Sequence, residues 1–377
     1  MEGERAPVFL TGASGFVGGH VLAALLDAGH PVRALVRRVP ARWPSDERLT
    51  AVVGDLLQTG ELARAMAGCR YLVHVAALYS FAPRDATMIR RVNVEGTAGL
   101  LEAARLAGVE KAVVTSSSAT VGPAPDGRPA TELDHALGGH GADRPGSGYH
   151  ESKVEQELVA LAARVPVVLV LPTAPVGPGD ALPTPTGRMV LDVVAGRMPA
   201  TVRGGMNLVP VEDVGRGHVL ALERGRPGER YLLAGEDLTL DEIFSMIAEL
   251  AGGRPPRIHL PHRLVLSLAR LDDLRCRVTG GVPRIPLEGA RMSATLMYAS
   301  AAKATRELGW RPSSVPAALQ RAIEWYRASS SRDSTGSVRS TARDPASLVS
   351  RRSGPTTRRG PASLVSRGSR DGGASRG

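Results

Sequence analysis

Short apolar runs alternate with helical patterns along the first half of the chain. The apolar runs predict buried strands at residues 8–10, 32–36, 51–53, 71–75, 112–114 and 167–171. Between them, apolar positions repeat with helical spacing at residues 17–28, 61–67, 84–107 and 149–164. Strands that alternate with helices indicate parallel pairing with right-handed crossovers. The pattern therefore predicts an α/β fold of Rossmann type, with a doubly wound parallel sheet.

Two long loops and several further elements are predicted beyond residue 121. Residues 122–148 and 172–185 are rich in Gly and Pro, and loops of this length inside a domain are usually functional. Residues 208–211 are typical of a strand, and Asp213 is expected to open a helix. Thr239 precedes a helix and Glu242 follows three residues later, which predicts a capping box. Additional helices are predicted at residues 186–197, 264–274, 301–308 and 317–326.

Residues 328–377 differ in composition from the rest of the chain. Ser, Arg, Gly and Thr dominate, and one heptapeptide occurs twice, at residues 345–351 and 361–367. Such a segment cannot bury enough apolar surface to offset its chain entropy, so we predict a disordered tail. Of the net charge of +10, ten Arg and three Asp place +7 in this tail, which leaves +3 for residues 1–327.

Composition excludes several classes of function. Aromatic residues make up only 3% of the chain, which offers little surface for stacking on nucleic-acid bases. No apolar run reaches the roughly 18 residues of a membrane span. Cys69 and Cys276 are far apart and no histidine has metal-ligand spacing, so we expect free thiols and no metal site. The sequence thus predicts a cytoplasmic protein that binds neither nucleic acid nor a membrane.

A glycine-rich turn follows the first predicted strand. Gly12, Gly15 and Gly18 are spaced G-x-x-G-x-x-G and lead into a helix. Glycine allows a tight turn and a close approach of backbone to pyrophosphate, and the N–H groups at the helix start can bind the anion. This turn predicts a dinucleotide cofactor, contacted also by Ser14, Phe16 and Val17.

The end of the second strand discriminates between cofactors. NAD sites usually carry an acidic residue there, whereas an arginine accommodates the 2′-phosphate of NADP. The sequence has Arg37 and Arg38 at this position, which favours NADP and leaves NAD possible. The alternative is a solvated arginine pair. Asp55, after the third strand, is expected either to bind the adenine amine or to stabilise a turn.

Tyr149 and Lys153 form a Tyr-x-x-x-Lys pair on one helix face. A free tyrosine has a pKa of about 10, and a neighbouring ammonium stabilises the phenolate and lowers that value. The phenol could then exchange a proton with a substrate alcohol or carbonyl while a hydride moves at the cofactor. Ser116, Ser117 and Ser118 end a predicted strand, where a hydroxyl could orient the substrate oxygen.

With these motifs, the chain resembles the extended short-chain dehydrogenases/reductases of the NAD-dependent epimerase/dehydratase type. Within them it is similar to the hopanoid-associated sugar epimerase group, which is related to dihydroflavonol reductases. The resemblance covers about residues 6–327. It rests on residues 11–18, 54–56, 74–77, 93–97, 115–117, 149–153, 172–179, 207–214 and 308–312.

The resemblance implies a triad of Ser117, Tyr149 and Lys153, with Ser118 as the alternative hydroxyl, and Asn93 as a support of the active-site helix. It implies cofactor contacts along the sheet edge in addition to the glycine turn. These are Ala76 and Ala77 on the adenosine side, and the stretch after Pro172 at the nicotinamide amide. The other predicted cofactor contacts are Arg37, Asp55, Leu56, Tyr149, Lys153 and Pro172.

The resemblance also implies the organisation of the chain. Residues 1–172 would form the NAD(P)-binding Rossmann domain, to which a segment near 207–225 returns. Residues 173–206 and 226–327 would form a smaller C-terminal substrate domain. A homodimer through the helices near Asn93 and Tyr149 is also expected.

Two departures from the family pattern bear on the reaction. Arg37 replaces the acidic residue typical of NAD-retaining epimerases, and Val121 replaces a tyrosine common near the substrate of sugar-nucleotide enzymes. The leading hypothesis is therefore an NAD(P)-dependent oxidoreductase acting on a sugar-like or dihydroflavonol-like small molecule. The alternatives are a sugar epimerase with tightly bound cofactor and a non-catalytic nicotinamide-sensing protein.

Overall fold

A seven-stranded parallel sheet forms the centre of the molecule. The computed structural model describes residues 5–41, 43–80, 85–124, 126–134, 148–279, 290 and 295–335. The strands lie in the order β10-β6-β5-β4-β1-β2-β3, and every pair is parallel. They are β1 (Val8–Thr11), β2 (Val32–Val36), β3 (Leu49–Val53), β4 (Tyr71–His74), β5 (Lys111–Thr115), β6 (Val167–Pro172) and β10 (Arg230–Leu233). The predicted α/β, doubly wound parallel sheet is confirmed.

Helices cover both faces of this sheet, because alternate strand residues point to opposite faces and both sets are apolar. Phe9 belongs to one buried cluster, and its neighbours Val8 and Leu10 belong to the other. The helices on the Phe9 face are α2 (Thr59–Met66), α4 (Gly96–Leu106) and α5 (Gly148–Leu161). Those on the opposite face are α1 (Phe16–Asp27), α7 (Val211–Arg224) and α10 (Ala302–Leu308).

A second, smaller sheet is built around β9 (Gly205–Pro210). This strand pairs in parallel with β7 (Ala174–Val176) and β13 (Leu296–Met297), and antiparallel with β11 (Glu236–Thr239). A separate two-stranded sheet joins β8 (Ala200–Thr201) to β12 (Ile258–His259). Further helices are α6 (Pro185–Val194), α8 (Leu240–Ala251), α9 (His262–Thr279) and α11 (Val315–Thr335). Helices α6, α8 and α11 share a third apolar cluster with the β9 sheet.

Helix α8 bears out one detailed sequence prediction. Thr239 accepts a hydrogen bond from the backbone N–H of Glu242, and the Glu242 carboxylate accepts one from the Thr239 backbone N–H, at 2.7 Å. The predicted capping box is therefore confirmed. The helix ends at Gly252, whose φ of +72° lies in the left-handed region that glycine tolerates.

The predicted helix at residues 84–107 is divided in the structure. Helix α3 (Ala86–Arg90) passes into a π-helical turn (Arg91–Glu95) before α4 begins at Gly96. The predicted loop at 172–185 contains β7, and the helix expected from Asp213 begins at Val211. These differences arise because pairing and packing with distant segments override local pattern.

Two predicted domain boundaries also differ from the structure. The returning segment was expected to end near 225, but β10 pairs with β6, so the Rossmann sheet extends to Leu233. The tail was expected to begin at 328, but α11 continues to Thr335. The rest of the predicted disordered tail, 336–377, and residues 135–147 of a predicted loop lie outside the described residues. Met1–Ser331 group into one compact unit.

No helix in the described part of the chain combines the length and apolar character needed to cross a bilayer.

Candidate functional site

The glycine turn lies at the carboxyl end of β1, where the chain enters α1. Gly12 has a φ of +82°, and the backbone N–H of Gly15 donates to the Gly12 carbonyl at 2.9 Å. A Cβ on Gly12 would come within 2.6 Å of the Ala76 nitrogen. A Cβ on Gly18 would collide with the carbonyl oxygen of Gly12. Only glycine therefore fits at these two positions, which explains the motif physically.

The start of α1 has the character of an anion site. Gly15 is its N-cap and provides no side-chain hydrogen bond, and the first turn carries no acidic residue. The first-turn N–H groups of Phe16, Val17 and Gly18 lack intrahelical acceptors, as at any helix start. Ser14 and Gly15 are exposed beside them. This cradle fits the pyrophosphate of a dinucleotide, which needs close backbone and N–H donors.

The neighbouring strand ends carry the residues predicted to contact the rest of the cofactor. Arg37 is exposed directly after β2. Asp55 accepts a hydrogen bond from the Leu57 backbone N–H at 2.9 Å, which is the predicted turn role, and Leu56 is buried. Ala76 and Ala77 follow β4 next to the glycine turn, with Ala77 exposed. The structure thus brings these predicted residues to one edge of the sheet.

Pro172 lies further along the same edge, at the end of β6. It is buried and pairs in register with Leu233 of β10. The loop that continues from β7 contacts the glycine helix, because His20 of α1 and the carbonyl oxygen of Pro178 form a 2.9 Å hydrogen bond. The segment predicted to face the nicotinamide is therefore held against the start of α1.

Tyr149 and Lys153 lie one turn apart on α5. The Lys153 ammonium nitrogen is 6.0 Å from the centroid of the Tyr149 ring. The Tyr149 ring packs edge-on against Tyr79, with centroids 4.4 Å apart. Asn93, in the π-helical turn, donates to Ser152 at 3.0 Å, and Ser152 donates to the Tyr149 carbonyl at 2.7 Å. The first turn of α5 is thus braced from the neighbouring helix.

Lys153 is only 2% exposed, although its side chain is an amine. It donates to the carbonyl oxygen of Thr115 at 2.9 Å and to the side-chain oxygen of Gln156 at 2.8 Å. Burial lowers its pKa to about 8, and the negative charge of Glu157 opposes that change. An ammonium has three N–H donors, and these two bonds use two of them.

The three serines after β5 have different environments. Ser116 is buried and donates to a Glu157 carboxylate oxygen at 2.5 Å. The Ser117 oxygen accepts from the backbone N–H of Ala119 at 3.2 Å, and Ser117 and Ser118 are both partly exposed. Ser116 is therefore committed to a structural bond, whereas the predicted Ser117 and its alternative Ser118 face accessible space.

A buried ion pair that the sequence did not indicate stabilises this serine segment. Arg230 of β10 and Glu157 of α5 approach to 2.9 Å, and both side chains are less than a tenth exposed. Glu157 also accepts from Thr120 at 2.6 Å, and Arg230 donates to the Glu132 carbonyl at 2.9 Å. The available signal was that Glu157 follows Lys153 by four residues and so shares its helix face.

A small depression beside Ser118 has a volume of about 10 Å³, about enough for one water molecule. Its wall is formed by apolar and polar groups together. The lining residues are Ser118, Val121, Gly122, Ala130, Leu232, Met297, Tyr298 and Ala299. Burial raises the pKa of Tyr298 above its ordinary value, helped by the carboxylates of Asp237 and Glu242.

The chain is similar to several known proteins. The model of the NAD dependent epimerase/dehydratase family matches residues 8–234, the span from β1 to β10. A Synechocystis protein named after dihydroflavonol 4-reductase is 38% identical over 335 residues, which cover 85% of this chain and 94% of that protein. Sterol demethylase protein B of Methylococcus capsulatus is 35% identical over 324 residues, covering 84% and 97%.

A solved structure extends the similarity to three dimensions. A nucleoside-diphosphate-sugar epimerase from Pseudomonas aeruginosa matches with a TM-score of 0.69 at 26% sequence identity. The match covers 86% of this chain and 98% of that chain. The similarity therefore includes the second sheet as well as the parallel one.

Proposed function

The chain belongs to the NAD-dependent epimerase/dehydratase family, and from this premise we propose that it is an NADP-dependent oxidoreductase that interconverts a secondary alcohol and a ketone. The observation that carries the proposal is the buried ammonium of Lys153 beside Tyr149, at the sheet edge that also bears the glycine turn. Reductases, dehydrogenases and epimerases all occur among the relatives.

Three side chains divide the chemistry. Tyr149 transfers the proton to or from the substrate oxygen. The Lys153 ammonium stabilises the phenolate form of Tyr149, and its remaining N–H is available to a ribose hydroxyl. Ser117 donates a hydrogen bond to the same substrate oxygen and so orients it. The nicotinamide, when bound, supplies or accepts the hydride.

Arg37 supports NADP over NAD. Its guanidinium is exposed at the end of β2, the position at which NAD sites usually carry a carboxylate. A guanidinium binds phosphate with paired hydrogen bonds. We expect Arg37→Asp to shift the preference for NADPH over NADH toward NADH by at least tenfold in kcat/KM. An unchanged ratio would exclude Arg37 from cofactor discrimination.

The apolar side chains beside Ser118 support an apolar substrate of flavonol-like or sterol-like character. Val121, Leu232 and Met297 contribute hydrocarbon there, and no Lys or Arg lines this depression among the residues that the structure describes. A nucleotide sugar would bring two phosphates, which need cationic or N–H partners. The names of the dihydroflavonol and sterol relatives agree with the apolar class.

The test follows NADPH oxidation with a panel of flavonol-like, sterol-like and sugar-like ketones. We expect stoichiometric oxidation with an apolar ketone, and a loss of kcat of at least about 100-fold in Tyr149→Phe without a change in NADPH affinity. The matched control is Tyr79→Phe, which keeps the ring that packs on Tyr149 and should retain activity. Full activity in Tyr149→Phe would refute the proton-transfer role.

Epimerisation is the second candidate, favoured by the similarity to a nucleoside-diphosphate-sugar epimerase. An epimerase oxidises and re-reduces one carbon and so shows no net NADPH consumption. Co-purified NAD together with turnover of a nucleotide sugar would support this candidate and contradict the reductase. Tightly bound cofactor without turnover of any panel member would favour a nicotinamide sensor.

A further inference from the structure

A continuous chain of buried polar side chains lies behind Lys153. Thr11 of β1 bonds to His74 of β4 at 2.7 Å, and His74 bonds to Thr97 of α4 at 2.9 Å. The side-chain amide of Gln156 donates to Thr97 at 2.9 Å, and its oxygen accepts from Lys153 at 2.8 Å. The chain therefore connects the strand that precedes the glycine turn to the ammonium on α5.

The direction of each bond follows from Thr97. Its single hydroxyl hydrogen goes to the carbonyl oxygen of Asn93, at 2.6 Å, so its oxygen must accept from both His74 and Gln156. His74 then carries its hydrogen on Nε2 and accepts from Thr11 at Nδ1. This is a neutral imidazole, in agreement with a pKa that burial lowers to about 3.

The same reasoning determines how Gln156 is oriented. Since its NH2 group must face the Thr97 oxygen, its carbonyl oxygen must face Lys153. The reversed amide would bring an oxygen against an oxygen at one end and an NH2 group against an ammonium at the other. Thr97 therefore selects the amide orientation that accepts a hydrogen bond from the amine.

We propose that Gln156 is a positioning residue that keeps the Lys153 side chain charged and holds its ammonium beside Tyr149. Lys153 is buried and forms no ion pair among the described residues, so this amide is the side-chain acceptor that replaces water. Hydrogen bonds to a charged donor favour the charged form. The inference rests on the proposed function for the catalytic consequence, but not for the effect on the amine.

The other titratable groups around Lys153 either bind other partners or are neutral. Glu157, on its own helix, is bound by Ser116, Thr120 and the Arg230 guanidinium of β10. His74 from β4 is neutral, as shown above. From α7, His218 approaches the other side of Thr115, and burial lowers its pKa to about 4, so it is neutral as well.

The chain offers a direct way to observe the amine, because Lys111, Lys153 and Lys303 are its three lysines. Lysine labelled at the side chain with 13C or 15N gives three side-chain NMR signals. Lys111→Arg and Lys303→Arg assign them. Titration of the full chain then reports the protonation of Lys153 without any requirement for substrate or activity.

The informative variants are Gln156→Leu and Gln156→Glu. Removing the acceptor in Gln156→Leu should lower the Lys153 pKa by about one unit, since a hydrogen bond to a charged group contributes about one to two units. Gln156→Glu restores an oxygen and should keep the pKa at or above that of the parent. Gln320→Leu is the matched control, because Gln320 is exposed on α11 and should leave all three signals unchanged.

Kinetics separates this inference from the proposed function. If both hold, the alkaline limb of the kcat profile moves about one unit to lower pH in Gln156→Leu and is restored in Gln156→Glu, with little change in KM. A pKa shift without any change in kcat would refute the catalytic role of Lys153 and leave the effect on the amine intact. A Lys153 signal that titrates identically in the parent and in both variants would overturn the inference. If Gln156→Leu does not fold, Gln156→Met provides the same test.

Discussion

Acid should destabilise this protein through two buried histidines. His74 and His218 are each completely enclosed, and burial lowers the pKa to about 3 for His74 and to about 4 for His218. An exposed histidine has a pKa near 6.5. Between the folded and the unfolded pKa values, the unfolded chain binds protons that the folded chain does not. The stability contributed by the neutral rings is therefore fully present above the unfolded pKa. It is lost as pH falls from 6.5 toward the folded values.

The magnitude follows from this difference in proton binding. At pH 5 an unfolded histidine of pKa 6.5 is almost fully protonated, whereas at pH 7 it is mostly neutral. Because the folded rings are nearly unprotonated at both values, each histidine should remove about 2 kcal/mol of unfolding free energy between pH 7 and pH 5. The two together should remove about 4 kcal/mol. Any folded pKa below about 4.5 gives nearly the same result.

Urea unfolding at pH 7 and pH 5 measures the effect. His74→Gln and His218→Gln replace each ring with a side chain that stays neutral. Both variants lose stability at pH 7 because hydrogen bonds are lost, but each should reduce the difference between the two pH values by about 2 kcal/mol. Gln320→Leu is the control, since Gln320 is exposed and carries no titratable group, so it should leave the difference unaltered. If both variants still show the parent's difference in unfolding free energy between pH 7 and pH 5, the reasoning is refuted.

Three further predictions concern the scaffold. Gly18→Ala places a methyl group against the Gly12 carbonyl. The variant should lose at least about 3 kcal/mol of unfolding free energy, measured by urea unfolding, or lose NADPH binding, measured by fluorescence titration. Arg230→Met leaves the Glu157 carboxylate buried without its cation and should lower the unfolding free energy by about 3 kcal/mol. Adding Glu157→Leu should recover part of this loss. Equal stability of the single and double variants would contradict a buried pair. Truncation after Thr335 should leave the melting temperature within about 1 °C of that of the full chain, because the removed residues offer little apolar surface. A larger decrease would show that these residues pack on the protein.

The sequence predicted six of the seven strands of the main sheet, because each is a local apolar run between breakers, and it did not predict β10. In the second sheet it predicted β9, from residues 208–211, and missed the short partner strands. Strand β7 has three residues and β13 has two, and their partner in β9 lies far along the chain. Stretches this short carry no periodicity, so only the packing of distant segments makes them strands.

The candidate site was predictable where a residue type is demanded by backbone geometry or by a fixed helical spacing. Gly12 and the Tyr149–Lys153 pair are of this kind. The supporting contacts were not, because they depend on side-chain directions across several elements. His74 lies in an apolar strand, where the pattern predicts no polar network, yet it bridges Thr11 and Thr97 with both ring nitrogens. The role of Gln156 was not predictable, since one glutamine on a polar helix face has no distinctive pattern.

The π-helical turn at Arg91–Glu95 makes the chain intolerant of a change in length at one point. A turn of this type accommodates one residue more than an ordinary turn, and each residue rotates a helix by about 100°. Deleting one residue there would return the turn to regular α-helical geometry. The direction of α3 relative to α4 would then change. Asn93 would then leave Ser152, and the N-terminal turn of α5 would lose its brace. The brace on α5 therefore depends on the residue count of this turn as well as on Asn93 itself.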